Sequence, residues 1–452
     1  MGTRNLSRFA AWPTRMVISL LLSLSLCQGA LAQGLIRDAE IEQTLGRISQ
    51  PLFKAAGVSS RQVEVLVVDD KNLNAFVVNG RAIFLNYGLI TRLKTIGMLQ
   101  SVISHELAHI TSGHLVRRSL NRQSAASAVG IGLLLSVAVA ASGNGRAAGG
   151  IAAGSAAAAM NNFLSHTRAE ETVADQVGTR YMVRAGVDPA ASVEVLDIFR
   201  GQEALSIARQ DPYSRTHPLS QDRIRALKGV IAAYEGQSKK PSPDLVYWHR
   251  RMQAKFTAFT GNPAYILRKL DPADKSEAAI MTRAIAHHRQ GDAKTAVKYM
   301  DQLLAKRPND AFYHELKGQI QLEGRQTAPA ITSYRKAVAL APKEPLILAG
   351  LGRAYLGLKT KSGDRAALDV LRKAYQMDGR DARMLRDLAV AWAKAGNNGM
   401  ASLVTAERYA LLSRFKDAYT NAVRAEGLLP RGSEGWLRAQ DIIAVTKAVA
   451  KK

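Results

Sequence analysis

At 452 residues, with 47% apolar and 22% charged residues, the chain is globular and too long for one ordinary core, so two or three units are expected. Its formal charge of +25 is spread along the chain without a compact basic cluster interleaved with aromatics, which reads as a solvated surface, with anionic lipid a second option, and argues against nucleic acid as a partner. The single cysteine, Cys27, lies in the N-terminal apolar run, so the mature chain has no disulfide and no thiolate, and any metal must be held by His and carboxylates.

Residues 1–32 read as a signal peptide. Arg4, Arg8 and Arg15 form an acid-free basic region, Met16 to Cys27 is a short apolar run, and Ala30-Leu31-Ala32 is the small-x-small pattern of a cleavage site. The run is short for a membrane span, and the absence of a twin-arginine pair favours the general secretory route. The formal charge of the mature chain is then +22.

From Leu35 to about Tyr234 strand and helix signals mix. Val63 to Val68 is β-rich, and Ala75 to Val78, turned at Asn79-Gly80, is answered by Ala82 to Leu85. An Asn-Gly pair favours the positive φ angles of a tight hairpin, so these two runs are expected to pair. Thr91 to about Arg118 reads as one long helix, with Ile96, Leu99, Ile103, Leu107 and Ile110 as its apolar stripe.

On that helix lies His105-Glu106-Leu107-Ala108-His109. Two histidines four apart leave the same face about one turn from each other, a separation that suits two corners of a tetrahedral zinc. Zinc lowers the pKa of a bound water to about 7, and Glu106, beside the first ligand, is placed to take that proton as general base. His114, five residues past His109, points roughly 140° away on a continuous helix and reads as structural.

Residues 125–160 are rich in Ala and Gly, so a membrane span has to be weighed. Ligands on both sides of the segment must meet in one pocket, so crossings number zero or two. The second half, Ala147 to Met160, is about 14 residues or roughly 21 Å of helix, short of the roughly 30 Å hydrocarbon core. A helical hairpin packed on the protein, or dipping into a membrane surface or substrate, is the expectation.

A hydrolytic zinc needs a third protein ligand. Glu171, in Glu171-Thr172-Val173-Ala174-Asp175, is the better candidate, because Glu171 and Asp175 are four apart and face one way on a helix. One binds zinc while the other accepts the spare N–H of a ligand histidine. Glu170 fits less well, its i+4 partner being Ala174.

Around Gly236 to Pro243 the chain turns polar, which suits a domain boundary. Beyond it a repeat appears. Gly318, Ala330, Tyr334, Ala337 and Pro342 carry the spacing of a tetratricopeptide unit, and Ala284, Ala296 and Pro308 stand thirty-four residues earlier. Gly352 and Tyr355 open a third unit, closed after a three-residue insertion by Ala367, Leu371 and Ala374. Ala389, Trp392 and Ala401 suggest a fourth, and Ala418, Ala425 and Pro430 a final helix in phase. Stacked helix pairs of this kind form a groove for other polypeptides.

His105-Glu106-x-x-His109 followed by Glu171-x-x-Ala174-Asp175 resembles the HtpX and BepA superfamily of integral or periplasmic zinc metallopeptidases, and the C-terminal repeats resemble its BepA-type periplasmic members in particular. Asn74-Ala75-Phe76 and Gly88-Leu89-Ile90 match that family's strand before the metal helix and the turn leading into it, and Thr216-His217-Pro218 matches its later His-Pro segment. Departures are mild: Val78-Asn79-Gly80 replaces a more Gly- or Pro-rich turn, and Ser104 stands where Ala is common.

The resemblance implies an α+β, gluzincin-like metalloprotease domain, mainly helical with a small sheet, over residues 33–235, then a connection over 236–275 and an all-α tetratricopeptide solenoid over 276–452. It implies one Zn2+ on His105, His109 and Glu171, Glu106 as catalytic base, and the strand at Asn74 to Phe76 taking substrate backbone as an added strand. Two roles stay open for His217: donating to the oxyanion of the reaction, or occupying the fourth coordination position and holding the enzyme latent. Arg215 is a weaker oxyanion candidate. The implied setting is the periplasm, the implied substrates polypeptides such as misassembled outer-membrane proteins, and the implied partner the outer-membrane β-barrel assembly machinery. Two rival readings remain, a chaperone or adaptor whose protease site is latent and an integral membrane protease with a helical hairpin.

Overall fold

The structure, a computed structural model, describes residues 34–78, 80–114, 167–206 and 209–450. The expected signal peptide and the apolar segment 125–160 lie outside the described residues. Among the described residues no helix is long and apolar enough to cross a membrane. The chain divides into two units, one holding Gln33–Ile36 and Ile41–Gln253 and the other Arg37–Glu40 and Ala254–Lys452.

The first unit opens with β1 (Leu35–Ile36), α1 (Ala39–Ala55), β2 (Glu64–Val68), β3 (Ala75–Val77) and β4 (Ala82–Asn86). The strands form one sheet in the order β1-β2-β4-β3. The hairpin expected around Asn79-Gly80 is present, with Ala75 opposite Leu85 and Val77 opposite Ile83, and Gly80 adopts φ +68°. The parallel pairing of β2 with β4 has no local sequence signal, because it joins runs that are not consecutive in the sequence. β3 is therefore an edge strand. Asn86 N–H donates to the Asn74 carbonyl at 3.0 Å, so the next carbonyl along, that of Ala75, points away from β4.

The long helix expected from Thr91 to Arg118 is a correction. It is two helices, α2 (Tyr87–Arg92) and α3 (Ile96–Thr111). Leu93 is extended, and Thr95 caps the second helix by accepting from Met98 N at 3.2 Å, so the chain restarts there. At the other end Ser112 caps and Gly113 takes φ +67°, which ends α3 before His114. The expected apolar stripe understates the burial, since every residue from Met98 to His109 is buried. α4 (Arg168–Arg184), α5 (Ala191–Ile198), α6 (Pro212–Thr216) and α7 (Gln221–Ala232) follow in the same unit.

Most of the span expected as a connection is helical, as α8 (Pro243–Thr260) and α9 (Pro263–Lys269). The second unit continues with α10 (Glu277–Arg289), α11 (Ala293–Lys306), α12 (Ala311–Glu323), α13 (Thr327–Leu340), α14 (Pro345–Leu356), α15 (Lys361–Met377), α16 (Ala382–Lys394), α17 (Asn398–Leu411), α18 (Phe415–Leu428) and α19 (Glu434–Ala450). The repeat phase is written in its backbone. Left-handed residues fall at Gly291, Arg325, Lys359 and Gly396, in the turns inside successive helix pairs. The longer last interval carries the three-residue insertion read from the sequence. Small residues sit where paired helices meet: Ala284, Ala296, Ala330, Ala337, Ala367, Ala374, Ala418 and Ala425 are all fully buried. Tyr334 is clamped between two glycines, a Cβ at Gly318 falling 2.8 Å and one at Gly350 2.3 Å from its ring.

Candidate metal centre

Three elements of the first unit bring the site together. α3 carries His105, Glu106 and His109. α4 carries Glu171 and Asp175, and the loop after α6 carries His217. α4 starts at a capping box in which Glu170 N donates to Thr167 Oγ1 and Thr167 N donates to Glu170 Oε2. Glu170 is thus spent on the cap, and the next residue turns inward. The two helices that carry His105, His109 and Glu171 approach closely because Gly178 of α4 faces α3. A Cβ there would lie 3.3 Å from the backbone of Ser104 and His105, and Ser104 Oγ donates to Gly178 O at 2.8 Å. The unusual serine at 104 therefore ties the two helices together.

His105 Nε2, His109 Nε2, His217 Nδ1 and Glu171 form a buried cluster whose donor atoms all lie within 4.8 Å of one another. Neighbouring donors are spaced 3.0 Å (His105 to His109), 3.3 Å (His105 to His217), 3.3 Å (His109 to Glu171 Oε1) and 2.9 Å (His217 to Glu171 Oε1). Zinc–nitrogen bonds of about 2.0–2.1 Å directed to tetrahedral corners set such edges at about 3.3–3.4 Å. Three imidazole nitrogens and one carboxylate, converging on one point in a buried site, fit a zinc ion by donor chemistry and by spacing. Asp175 Oδ1 stands 3.1 Å from His105 Nδ1 and so fixes the tautomer that leaves Nε2 toward the cluster.

His217 sits inside the donor set rather than beside it. Its backbone N donates to Tyr213 O at 2.8 Å, and Tyr213 N donates to Leu73 O, so the turn is fastened to the segment leading into β3. The other ring nitrogen, Nε2, lies 3.3 Å from both the Ala75 carbonyl and Glu106 Oε1. The Tyr213 ring packs 4.5 Å from the imidazole and stacks in turn on Phe199. Arg215, the weaker oxyanion candidate, is half-buried on α6.

Two residues escaped the sequence reading. His114, assigned a direction away from the site, brings Nδ1 to 2.9 Å from His109 Nδ1. The turn at Gly113 returns it, so an angle computed on a continuous helix does not apply. Arg223 of α7 is the other: its Nε and Nη2 hold Asp175 at 2.6 and 2.8 Å, and Nη1 lies 2.6 Å from Glu171 Oε2. No local motif announces it, because it meets the site only in three dimensions.

The charges follow from this packing. Burial opposes ionisation of Glu171, but Arg223, His217 and His105 hold its carboxyl well below the ordinary range. Asp175 is lowered in the same way, against its burial, by Arg223 and His105. Burial alone would lower His105, but Glu171 and Asp175 override it and raise the imidazole to about 10. His109 is held well below its usual value, first by burial. In the absence of metal His105 is thus the imidazole of the pair that favours an additional proton.

Residues 37–231 match the model of Peptidase family M48. The chain is 26% identical over 409 residues to the beta-barrel assembly-enhancing protease of Escherichia coli (strain K12), covering 88% of this chain and 81% of that protein. It is 24% identical over 325 residues to the protein of the same name from Yersinia pestis, covering 71% of this chain and 66% of the relative. Among solved structures, a thermophilic TPR protein from Thermus thermophilus aligns with 37% of this chain and 100% of its own length, at 18% identity and a TM-score of 0.27.

Proposed function

We propose that residues 37–231, which match the model of Peptidase family M48, form a zinc metallopeptidase domain of that family, and that the chain is an exported zinc endopeptidase whose site rests closed by His217. The observation that carries this reading is the buried set of four convergent protein donors, His105, His109, Glu171 and His217. Zinc, when bound, supplies a Lewis acid that acidifies water and polarises the scissile carbonyl. His105, His109 and Glu171 hold it. Glu106 accepts the proton of the attacking water on its carboxylate and delivers it to the leaving amine. Asp175 keeps His105 in the binding tautomer.

His217 closes the site twice over in this reading. Its Nδ1 takes the fourth donor position, and its Nε2 engages the Ala75 carbonyl on the outward edge of β3. That edge is where an extended substrate would add as a strand. Substrate entry therefore requires the imidazole to leave both places.

For the setting, the relatives named for β-barrel assembly and the signal-like residues 1–32 support a role in the periplasm, acting on misfolded or misassembled outer-membrane proteins beside the β-barrel assembly machinery. The helical repeats would hold clients or partners, and segment 125–160 would make peripheral membrane contact. The deciding variant is Glu106→Gln. It should retain one zinc per chain and lose casein cleavage by about 10²–10⁴-fold. Cleavage that survives it sinks the mechanism, and client rescue that survives it favours a chaperone or adaptor. Release of the mature protein by osmotic shock without detergent tests the periplasmic assignment against an integral membrane protease.

A further inference from the structure

Resting on the zinc site just proposed, we infer that Arg223 is its positioning residue: a single guanidinium sets the orientation of the third ligand, of the carboxylate behind the first ligand, and of the backbone that carries His217. Arg223 is buried, and it reaches the site from α7, whose first turn is capped by Ser220 accepting from Arg223 N at 3.2 Å. The cap fixes where the side chain starts. From there Nε and Nη2 grip both oxygens of Asp175 side-on, at 2.6 and 2.8 Å. Nη1 forms an ion pair with Glu171 Oε2 at 2.6 Å and donates to Pro218 O at 3.3 Å, one residue beyond His217.

The consequence is directional. With Oε2 held by Arg223, Glu171 presents Oε1 to His109 Nε2 at 3.3 Å and to His217 Nδ1 at 2.9 Å. With both Asp175 oxygens gripped, the plane of that carboxylate is fixed against His105 Nδ1. Only a planar fork of N–H groups does all of this; an ammonium supplies the charge without the geometry.

Charge and geometry make opposite predictions here. Glu106, Glu171 and Asp175 bring three negative charges, zinc two positive and Arg223 one. If Arg223 only balanced charge, removing it would leave the site more negative and hold zinc at least as tightly. If it positions the ligands, zinc is held more weakly although the site has become more negative.

The test uses the full mature chain with Arg223→Met and Arg223→Lys, zinc release to a chromogenic chelator, and the visible spectrum of the cobalt-substituted protein. Positioning predicts zinc loss about 10–100-fold faster in both variants, the size of effect seen when groups supporting metal ligands are removed, with a shifted cobalt spectrum. Arg223→Lys, which keeps the charge, answers the question if Arg223→Met does not fold. Zinc release and a cobalt spectrum in Arg223→Lys equal to those of the unsubstituted chain overturn the inference while leaving the zinc site intact. Absence of stoichiometric zinc in the unsubstituted chain overturns instead the reading on which it rests.

Discussion

Replacing His217 with alanine separates a closing ligand from a catalytic donor, because the two roles predict opposite changes in rate. Water can replace the imidazole as fourth donor, so the bias toward closure rests on the other contacts of the ring. Its Nε2 lies 3.3 Å from the Ala75 carbonyl and from Glu106 Oε1. One hydrogen bond from Nε2, at about 0.5–1.5 kcal/mol net, favours the closed form by that amount. At tenfold per about 1.4 kcal/mol, the open fraction is then roughly one in 3 to one in 13. His217→Ala should raise casein turnover by that factor, about 3- to 13-fold, when zinc is saturating. Zinc must be saturating because the variant has lost a donor. The assay is kcat on unfolded casein, with far-UV circular dichroism to establish that the cavity beside Tyr213 is tolerated. An oxyanion donor lost without any latency to relieve would instead lower kcat by about 10²–10³-fold. A rate equal to or below that of the unsubstituted chain refutes closure by His217.

Zinc uptake should release about one proton near pH 8. Without metal, His105 is raised to about 10, and its stabilising proton is fully present below pH 6.5 and lost as pH rises through 10, whereas a ligand imidazole must be neutral. Titration calorimetry in buffers of different ionisation enthalpy measures this, and a buffer-independent heat would contradict it. In the repeats, Gly350→Ala and Gly427→Ala should move stability in opposite directions. A Cβ at Gly350 falls 2.3 Å from the Tyr334 ring, so overpacking of about 1–3 kcal/mol outweighs the gain in helix propensity. Gly427 of α18 has nothing within 4 Å, so alanine there should stabilise by about 0.5–1 kcal/mol. Urea midpoints decide, and a common direction for both would sink the argument.

What was legible in the sequence is what local periodicity encodes. His105 and His109 share a helix face because they are four apart, and Glu171 and Asp175 do so for the same reason. Their spacing survives whatever the rest of the chain does. The repeat phase was legible because it recurs at 34 residues, through alanines that are fully buried. Its turns were less so: Arg325 and Lys359 adopt the left-handed conformation that Gly291 and Gly396 adopt at equivalent places, without the residue type that usually marks it. The pairing of β3 with β4 followed from the turn between them, while the parallel pairing of β2 with β4 joins runs that no turn connects. His114 was misread because one glycine after α3 changes where a side chain five residues on must go.

The state of the site is a different matter, since no spacing distinguishes a histidine that binds metal from one that waits beside it. His217 precedes a proline in either case. What selects between the roles is the depth to which α6 sinks, and that is set by contacts far apart in sequence. Tyr213 N donates to Leu73 O, Thr216 Oγ1 lies 3.4 Å from Asn74 Oδ1, and Arg223 donates to Pro218 O. Two of these fasten the His217 turn to the segment entering β3, and the third fastens it to the carboxylates of α4. A movement that frees the outward edge of β3 must therefore also loosen the fourth donor. In the proposed enzyme, admission of a strand and opening of the metal site are one event, because one short helix is tied to both.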